Sequence, residues 1–190
     1  MNEASNQTQL KRINFSGKIH LISSDRDLNL VASELSLALS FGFDTETKPS
    51  FKKGEVYKVS LLQVATETDA YLIRLHHLTE FKILKDMFEN DRVIKVGVAI
   101  RDDLKQLQKI FSFVPKNFIE LQDVAKKMGL KNFGLKGMAA EVLQAALSKG
   151  PKLTNWEAQI LTEKQLLYAA TDAWIGLALY QKLLLKGIIN

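Results

Sequence analysis

The sequence predicts one domain of mixed α and β structure, an α/β or α+β fold with its strands early and its helices late. Three observations carry that prediction. The chain has 190 residues, enough for one compact domain with a sizeable core and too few for two ordinary ones. A β-branched run over residues 93–98, as expected for a strand buried on both faces, passes directly into a helical spacing of Leu104, Leu107 and Phe111. From Pro115 onward the apolar pattern is helical almost to the end, and no repeat, linker or low-complexity tract divides the chain.

The remaining elements follow in order. KIHLI at 18–22 reads as a short strand, and residues 25–39 place Leu28, Val31, Leu35 and Leu39 at helical spacing. Residues 41–44 form a small apolar run that enters a polar turn. Residues 57–65 and 70–73, rich in Val, Leu and Tyr, read as two further strands able to form a meander. Helices are predicted over 121–128, 135–147 and about 163–185. Gly150-Pro151 breaks the chain before the last of these, and Thr162-Glu163-Lys164-Gln165 has the form of a capping box that sets its start. Residues 1–17, polar and without an apolar segment, read as a flexible leader and not as a secretion signal, which leaves 18–190 as the domain. The expected core is Phe43, Leu61, Val64, Val93, Ile94, Val96, Val98, Leu104, Leu167 and Leu177.

Composition removes several function classes. The chain has no Cys, which excludes disulfide scaffolds, thiolate zinc sites and thiol nucleophiles and fits a reducing, intracellular setting, cytoplasmic or, in a eukaryote, nuclear. Its charge-free stretches, such as 35–43 and 173–181, fall far short of a membrane span, so no membrane partner is expected. Net charge is +5, and its distribution is uneven: residues 105–152 hold nine Lys against Glu120, Asp123 and Glu141. Such a segment is either a solvated surface or a face for a polyanion, because lysines placed on phosphates release condensed counterions.

Three strings carry acids at the edges of apolar elements. In FGFDTETKPS, Asp44 and Glu46 are two apart, so on a strand they share a face while Thr45 points away. Two carboxylates so placed either form a solvated turn or hold a hard divalent cation that offsets their repulsion. In YAATDAW, Tyr168 and Asp172 are four apart on a helix, and Asp172 sits among Ala169, Ala170, Ala173 and Trp174, where an ionised carboxylate needs a partner or a metal. In VIKVGVAIRDDLKQL, a buried strand emerges into a helix whose first turn holds Asp102 and Asp103, where acids also suit the helix dipole. Four carboxylates and a tyrosine, if they converge, are what two-metal phosphoryl transfer requires.

These strings, in this order and spacing, resemble the tyrosine branch of the DEDD 3′–5′ exonucleases, the branch of the Werner-type exonuclease domains and ribonuclease D. FDTET resembles the first motif, VGVAIRDDLKQL the second and LTEKQLLYAATDAWIGLALYQKL the third, while KNFIELQDVAKK and TNWEAQILTEKQ look Werner-type. The resemblance implies a ribonuclease H-like mixed sheet flanked by helices. It implies Asp44, Glu46, Asp103 and Asp172 as ligands of two divalent cations, Mg²⁺ or Mn²⁺, with Asp103 fitting the second motif better than Asp102. It implies Tyr168 as the residue that orients the attacking water, and release of nucleoside 5′-monophosphates from the 3′ end of a nucleic acid, DNA before RNA. Thr45, Lys149 and Lys152 are the candidate substrate contacts, to a single strand or the 3′ end of a duplex. Any helicase or repair partner would be a separate chain. A ribonuclease D-like trimmer of RNA, a non-catalytic nucleic-acid module and a small-molecule phosphohydrolase are the alternatives. The sequence departs from the family at Lys105, where an aromatic is usual, and at Ile160-Leu161-Thr162, where Pro-Leu-Thr is usual. His20, His76 and His77 lie outside the motifs and read as surface or turn residues, and Trp156 and Trp174 as packing residues.

Overall fold

A computed structural model of the chain describes residues 10–50, 54–55, 57–148, 150 and 154–189. The chain runs β1 (Lys11–Ile13), β2 (Lys18–Ile22), α1 (Asp25–Leu37), β3 (Ser40–Thr47), β4 (Val59–Ala65), β5 (Asp69–Arg74), α2 (Lys82–Glu89), β6 (Ile94–Gly97), α3 (Ile100–Gln108), β7 (Phe118–Glu120), α4 (Leu121–Lys127), α5 (Leu135–Val142), β8 (Ala145–Leu147) and α6 (Glu163–Leu185). Six strands form one mixed sheet in the order β2-β5-β4-β3-β6-β7. The meander expected from the sequence is β3-β4-β5, paired antiparallel, while β2, β6 and β7 join in parallel.

Alternation along the strands divides the core into two layers. Phe41 and Phe43 of β3, with Leu62 and Val64 of β4, pack on Leu28, Val31 and Leu35 of α1 and on Leu84, Met87 and Phe88 of α2. On the opposite face Leu61 and Ala65 of β4 and Leu72 of β5 meet Ala169, Ala170 and Ala173 of α6. The other flank of α6, through Ile175, Leu179 and Leu183, packs on α4 and α5. Small residues on α6 let it lie close against the sheet. A Cβ on Gly42 of β3 would stand 2.0 Å from the carbonyl oxygen of Ala173, so this crossing tolerates only hydrogen at position 42.

Several expectations are corrected. Helix α5 ends at Val142, because Gln144 takes a left-handed backbone at φ 53°, and residues 145–147 become β8 instead of continuing the helix. β8 pairs in parallel with β1. The flexible leader is therefore not flexible throughout: β1 lies inside residues 1–17, Phe15 is buried, and the Phe15 amide donates to the Thr171 hydroxyl of α6 at 3.0 Å. Residues 1–9 lie outside the described residues. The helix predicted over 25–39 stops at Leu37, which leaves Leu39 exposed. Of the expected core, Leu167 is 37% exposed, since its face of α6 opens on a cavity lined also by Asn14, Leu147 and Tyr168. Ile94, Val98 and Leu104 are half-buried, and the others are fully buried.

Lys95, inside the β-branched run, is buried, and its ammonium donates to the carbonyls of Asn90 and Lys116, tying together the loops that lead into β6 and β7. Burial lowers its pKa to about 8. No helix among the described residues is long and apolar enough to cross a membrane.

Candidate active site

β3 occupies the middle of the sheet between β4 and β6 and extends to Thr47, farther than the apolar run 41–44 suggested. Asp44 and Glu46 are thus strand residues, and with Gly42 they share the face that α6 covers. Helix α6 starts where the sequence placed it. The Thr162 hydroxyl accepts from the Gln165 amide, and the Gln165 side chain accepts from the Thr162 amide. This fixed start sets the rotation of the helix and with it the direction of Tyr168 and Asp172, one residue before the Gly42 crossing.

The second-motif acid arrives from the other side of the sheet. Ala99, at φ 65°, makes the sharp left-handed step from β6 into α3. The Glu120 carboxylate holds that step by accepting from the amides of Ala99 and Ile100, each at 2.8 Å. Of the two acids in the first turn of α3, Asp102 faces solvent with its side chain 86% exposed and pairs with Lys105 at 2.9 Å. Asp103 is mostly buried and accepts a short hydrogen bond from the Thr45 hydroxyl. Thr45 does point away from Asp44 and Glu46, as alternation requires, and there it anchors Asp103. The structure therefore gives Thr45 a tethering contact that the sequence reading, which made it a substrate contact, did not include.

The four carboxylates share one electrostatic environment. Burial raises the Asp44 carboxyl well above the usual carboxylate range, and the charges of Asp172 and Asp103 add to the shift; the Thr45 amide, 2.9 Å from its Oδ1, opposes it. Burial and then the Asp172 charge push Glu46 up to about 7, against a hydrogen bond from the Trp156 indole. Burial also raises Asp103 and Asp172; the Thr45 hydroxyl moderates the first, and the Tyr168 hydroxyl and the Lys136 ammonium moderate the second. Like charges held in a poorly solvated site accumulate this strain until a cation relieves it.

Tyr168 donates to Asp172 and is held by its surroundings. Its ring stacks on Trp156, with centroids 6.3 Å apart, and Gly150 lies close to its hydroxyl end, where a Cβ would stand 2.5 Å from Cε2. Trp156 is a buried packing residue, as expected, and it is also the donor to Glu46. Its segment is fastened from below: the buried Arg74 guanidinium donates to the carbonyls of Ala158 and Gln159 at 2.6 and 3.2 Å. Trp174 packs at the margin of the core, 6.1 Å from the Phe15 ring. Sequence reasoning missed Lys136 and the donor role of Trp156. Lys136 stands in the first turn of α5 and lines a cavity of about 400 Å³ with Phe133, Gly134, Tyr168 and Asp172. Lys149 and Lys152 lie outside the described residues.

An all-oxygen set of carboxylates with raised proton affinity has the chemistry of a hard divalent-cation site. Asp44, Glu46, Asp103 and Asp172 are carboxylates of that kind, each with raised proton affinity. Among the described residues no three acidic or histidine side chains form a closed cage for an ion, and Asp103 is engaged by Thr45.

Comparison with known proteins gives the family of the chain. A family model described as 3'-5' exonuclease matches residues 19–188. The chain is similar to the bifunctional 3'-5' exonuclease/ATP-dependent helicase WRN of Mus musculus, 34% identical over 187 residues that cover 93% of this chain and 13% of that protein. It is similar in structure to RNase D of Escherichia coli, an exoribonuclease involved in structured RNA processing, with a TM-score of 0.78 and 25% identity over 92% of this chain and 45% of that one. It shares its fold with the Nibbler EXO domain of Aedes aegypti, at a TM-score of 0.79 and 24% identity over 96% of this chain and all of that domain. The chain spans no more than about half the length of the curated relatives it matches. Matched over nearly its whole length and built on the same mixed sheet flanked by helices, the ribonuclease H-like fold of these neighbours, the chain belongs to the 3′–5′ exonucleases, a family of hydrolases.

Proposed function

We propose that the chain removes nucleotides from the 3′ end of a nucleic acid by metal-dependent hydrolysis of the terminal phosphodiester, releasing nucleoside 5′-monophosphates. The observation that carries this reading is geometric: Asp44 of β3 and Asp172 of α6 line one cavity, Tyr168 lies beside Asp172, and Asp103 of α3 is tied to Thr45, between Asp44 and Glu46. Asp44, Glu46, Asp103 and Asp172 would hold two divalent cations, Mg²⁺ or Mn²⁺, which when bound lower the pKa of a water and stabilise charge on the attacking and leaving oxygens.

The role of Tyr168 follows from its environment. Burial, and then the neighbouring Asp172 charge, raise its phenol above the ordinary tyrosine range, so it stays protonated at neutral pH. It therefore orients and does not act as a base: its O–H is committed to Asp172, and its oxygen lone pairs remain to accept from a water. Trp156 and Gly150 restrict the ring to that direction. Thr45 and Glu120 set the position of Asp103, and the Trp156 indole sets that of Glu46. Lys136, exposed beside the cavity that Tyr168 and Asp172 line, faces the negative backbone of a bound strand, and Lys149 and Lys152 are offered on the sequence alone as further backbone contacts. Contacts of this kind give salt-sensitive binding with little sequence preference.

The Werner-type strings favour DNA as the substrate. The likeness to E. coli RNase D supports a second reading, trimming of structured RNA. One experiment tests the activity and separates the two: a 5′-labelled 3′-recessed DNA duplex and a 5′-labelled RNA hairpin with a 3′ tail, offered at equal salt with Mn²⁺. The DNA is expected to shorten stepwise from its 3′ end with 5′-monophosphate products, and chelation by EDTA to stop the reaction. Faster trimming of the RNA establishes the second reading. Internal cleavage, or loss of the 5′ label first, overturns both.

A further inference from the structure

Gln63 is the polar exception in an apolar layer. It lies in β4 between Leu61 and Ala65 on the face that α6 covers, and it is fully buried. Both of its side-chain heteroatoms, Oε1 and Nε2, are buried without a hydrogen-bond partner. An unpaired amide in an apolar layer destabilises the fold, whereas a Leu or Met of similar volume would avoid that cost. The other buried side-chain atom left unpaired among the described residues is Arg74 Nε, on a guanidinium that otherwise holds two carbonyls. No second use of this kind accounts for Gln63.

The register supplies one. In the antiparallel β3–β4 ladder Gln63 is directly opposite Asp44. Opposed residues of such a pair project to the same face with Cβ atoms about 4.5–5.5 Å apart, within the span of a glutamine side chain. The terminal torsion of glutamine is broad, so its amide can turn at little cost. Asp44 Oδ1 already accepts from the Thr45 amide, while no donor occupies Oδ2 among the described residues.

We propose that Gln63 is a positioning residue for Asp44: its side-chain amide turns to donate to the Asp44 carboxylate when that carboxylate holds a divalent cation, fixing the direction of the ligand. This rests on the reading of Asp44 as a metal ligand. Groups that orient a ligating carboxylate from behind are worth 10–100-fold in metal affinity or activity. The unpaired amide is then the metal-free half of a two-position device, and β4 retains a polar residue in its apolar layer because the loaded site uses it.

The test is Gln63→Met, read by three measurements on the whole chain. The metal-free melting temperature is expected to be unchanged or higher, because an unpaired amide is replaced by a thioether of similar shape. Mn²⁺ affinity, measured by calorimetry, is expected to fall about 10–100-fold, and kcat to fall with it while KM for the strand stays constant. In an Asp44→Asn background the same change is expected to leave residual Mn²⁺ binding unaffected. Equal Mn²⁺ affinity and kcat in Gln63→Met and wild type overturns the proposal and leaves the exonuclease reading intact. Absence of Mn²⁺ binding by the wild-type chain overturns both. If the Met variant does not fold, side-chain amide NMR of wild-type chain titrated with Mg²⁺ decides: one Gln63 Nε2 proton is expected to shift downfield, and an unmoved resonance overturns the proposal.

Discussion

Asp44→Asn is expected to lower the rate of 3′-end hydrolysis by at least about 10³-fold while making the metal-free chain more stable at pH 8. The loss of rate follows from removing one of the carboxylates that would hold the cations. Lewis-acid stabilisation is worth several kcal/mol of barrier, and each 1.36 kcal/mol is tenfold in rate. The gain in stability follows from the raised proton affinity of Asp44. The native state binds this proton more tightly than the unfolded chain does, so stability falls as the pH rises from the unfolded-state pKa toward the raised native one and stays low above it. At pH below about 4 both states are protonated, and Asp and Asn behave alike. As the pH rises from there the wild type loses stability that the Asn variant keeps. Thermal melts of the two proteins at acid and neutral pH check the sign, and a 5′-labelled strand checks the rate. A variant that is both inactive and less stable at every pH would show Asp44 acting as a structural residue.

Gly42→Ala is expected to cost about 1–3 kcal/mol of stability and at least about 10²-fold in kcat, although position 42 touches no substrate. The added methyl would stand 2.0 Å from the Ala173 carbonyl oxygen and 2.9 Å from the Leu177 amide nitrogen, both backbone atoms of α6. Neither can rotate away, so the helix must withdraw from β3. Asp172 precedes Ala173, and withdrawal carries it and Tyr168 away from Asp44 and Glu46. Melting gives the first quantity, expected to shift by a few degrees for a domain of this size, and single-turnover cleavage gives the second. Activity that survives a clear loss of stability would mean that the spacing of α6 from β3 does not set the site.

The sequence carried much of this arrangement in periodic form. Asp44 and Glu46 sit two apart on a strand and Tyr168 and Asp172 four apart on a helix, spacings that fix a shared face before any tertiary contact is known. The capping box at Thr162 fixed the start of α6 to the residue. Elements of three residues carry too little periodicity to be read: β7 and β8 were absorbed into helical patterns, and β1 into a leader. Helix α2 also passed unread. The choice between Asp102 and Asp103 rested on the motif resemblance, and in the structure it depends on Glu120, some twenty residues away, holding the Ala99 turn. Lys136 and Gln63 were illegible for a related reason. A lysine in a lysine-rich segment gains meaning only when α5 packs beside α6, and a glutamine in an apolar strand only when the β3–β4 register sets it against Asp44.

The claim on which all of this depends is that carboxylates from β3, α3 and α6 form one cation site. It is tested most directly by the melting temperature of the wild-type chain with and without Mn²⁺ at pH 5 and pH 8. Burial and the Asp172 charge push Glu46 up to about 7, so at pH 5 its proton competes with the metal, whereas at pH 8 Glu46 is ionised beside the other acids. The account predicts a rise of several degrees on adding Mn²⁺ at pH 8, in line with about 2.7 kcal/mol at a hundredfold excess over Kd, and little change at pH 5. It also predicts that Asp44→Asn removes most of the rise. A rise of equal size at both pH values, or one that survives Asp44→Asn, would contradict it.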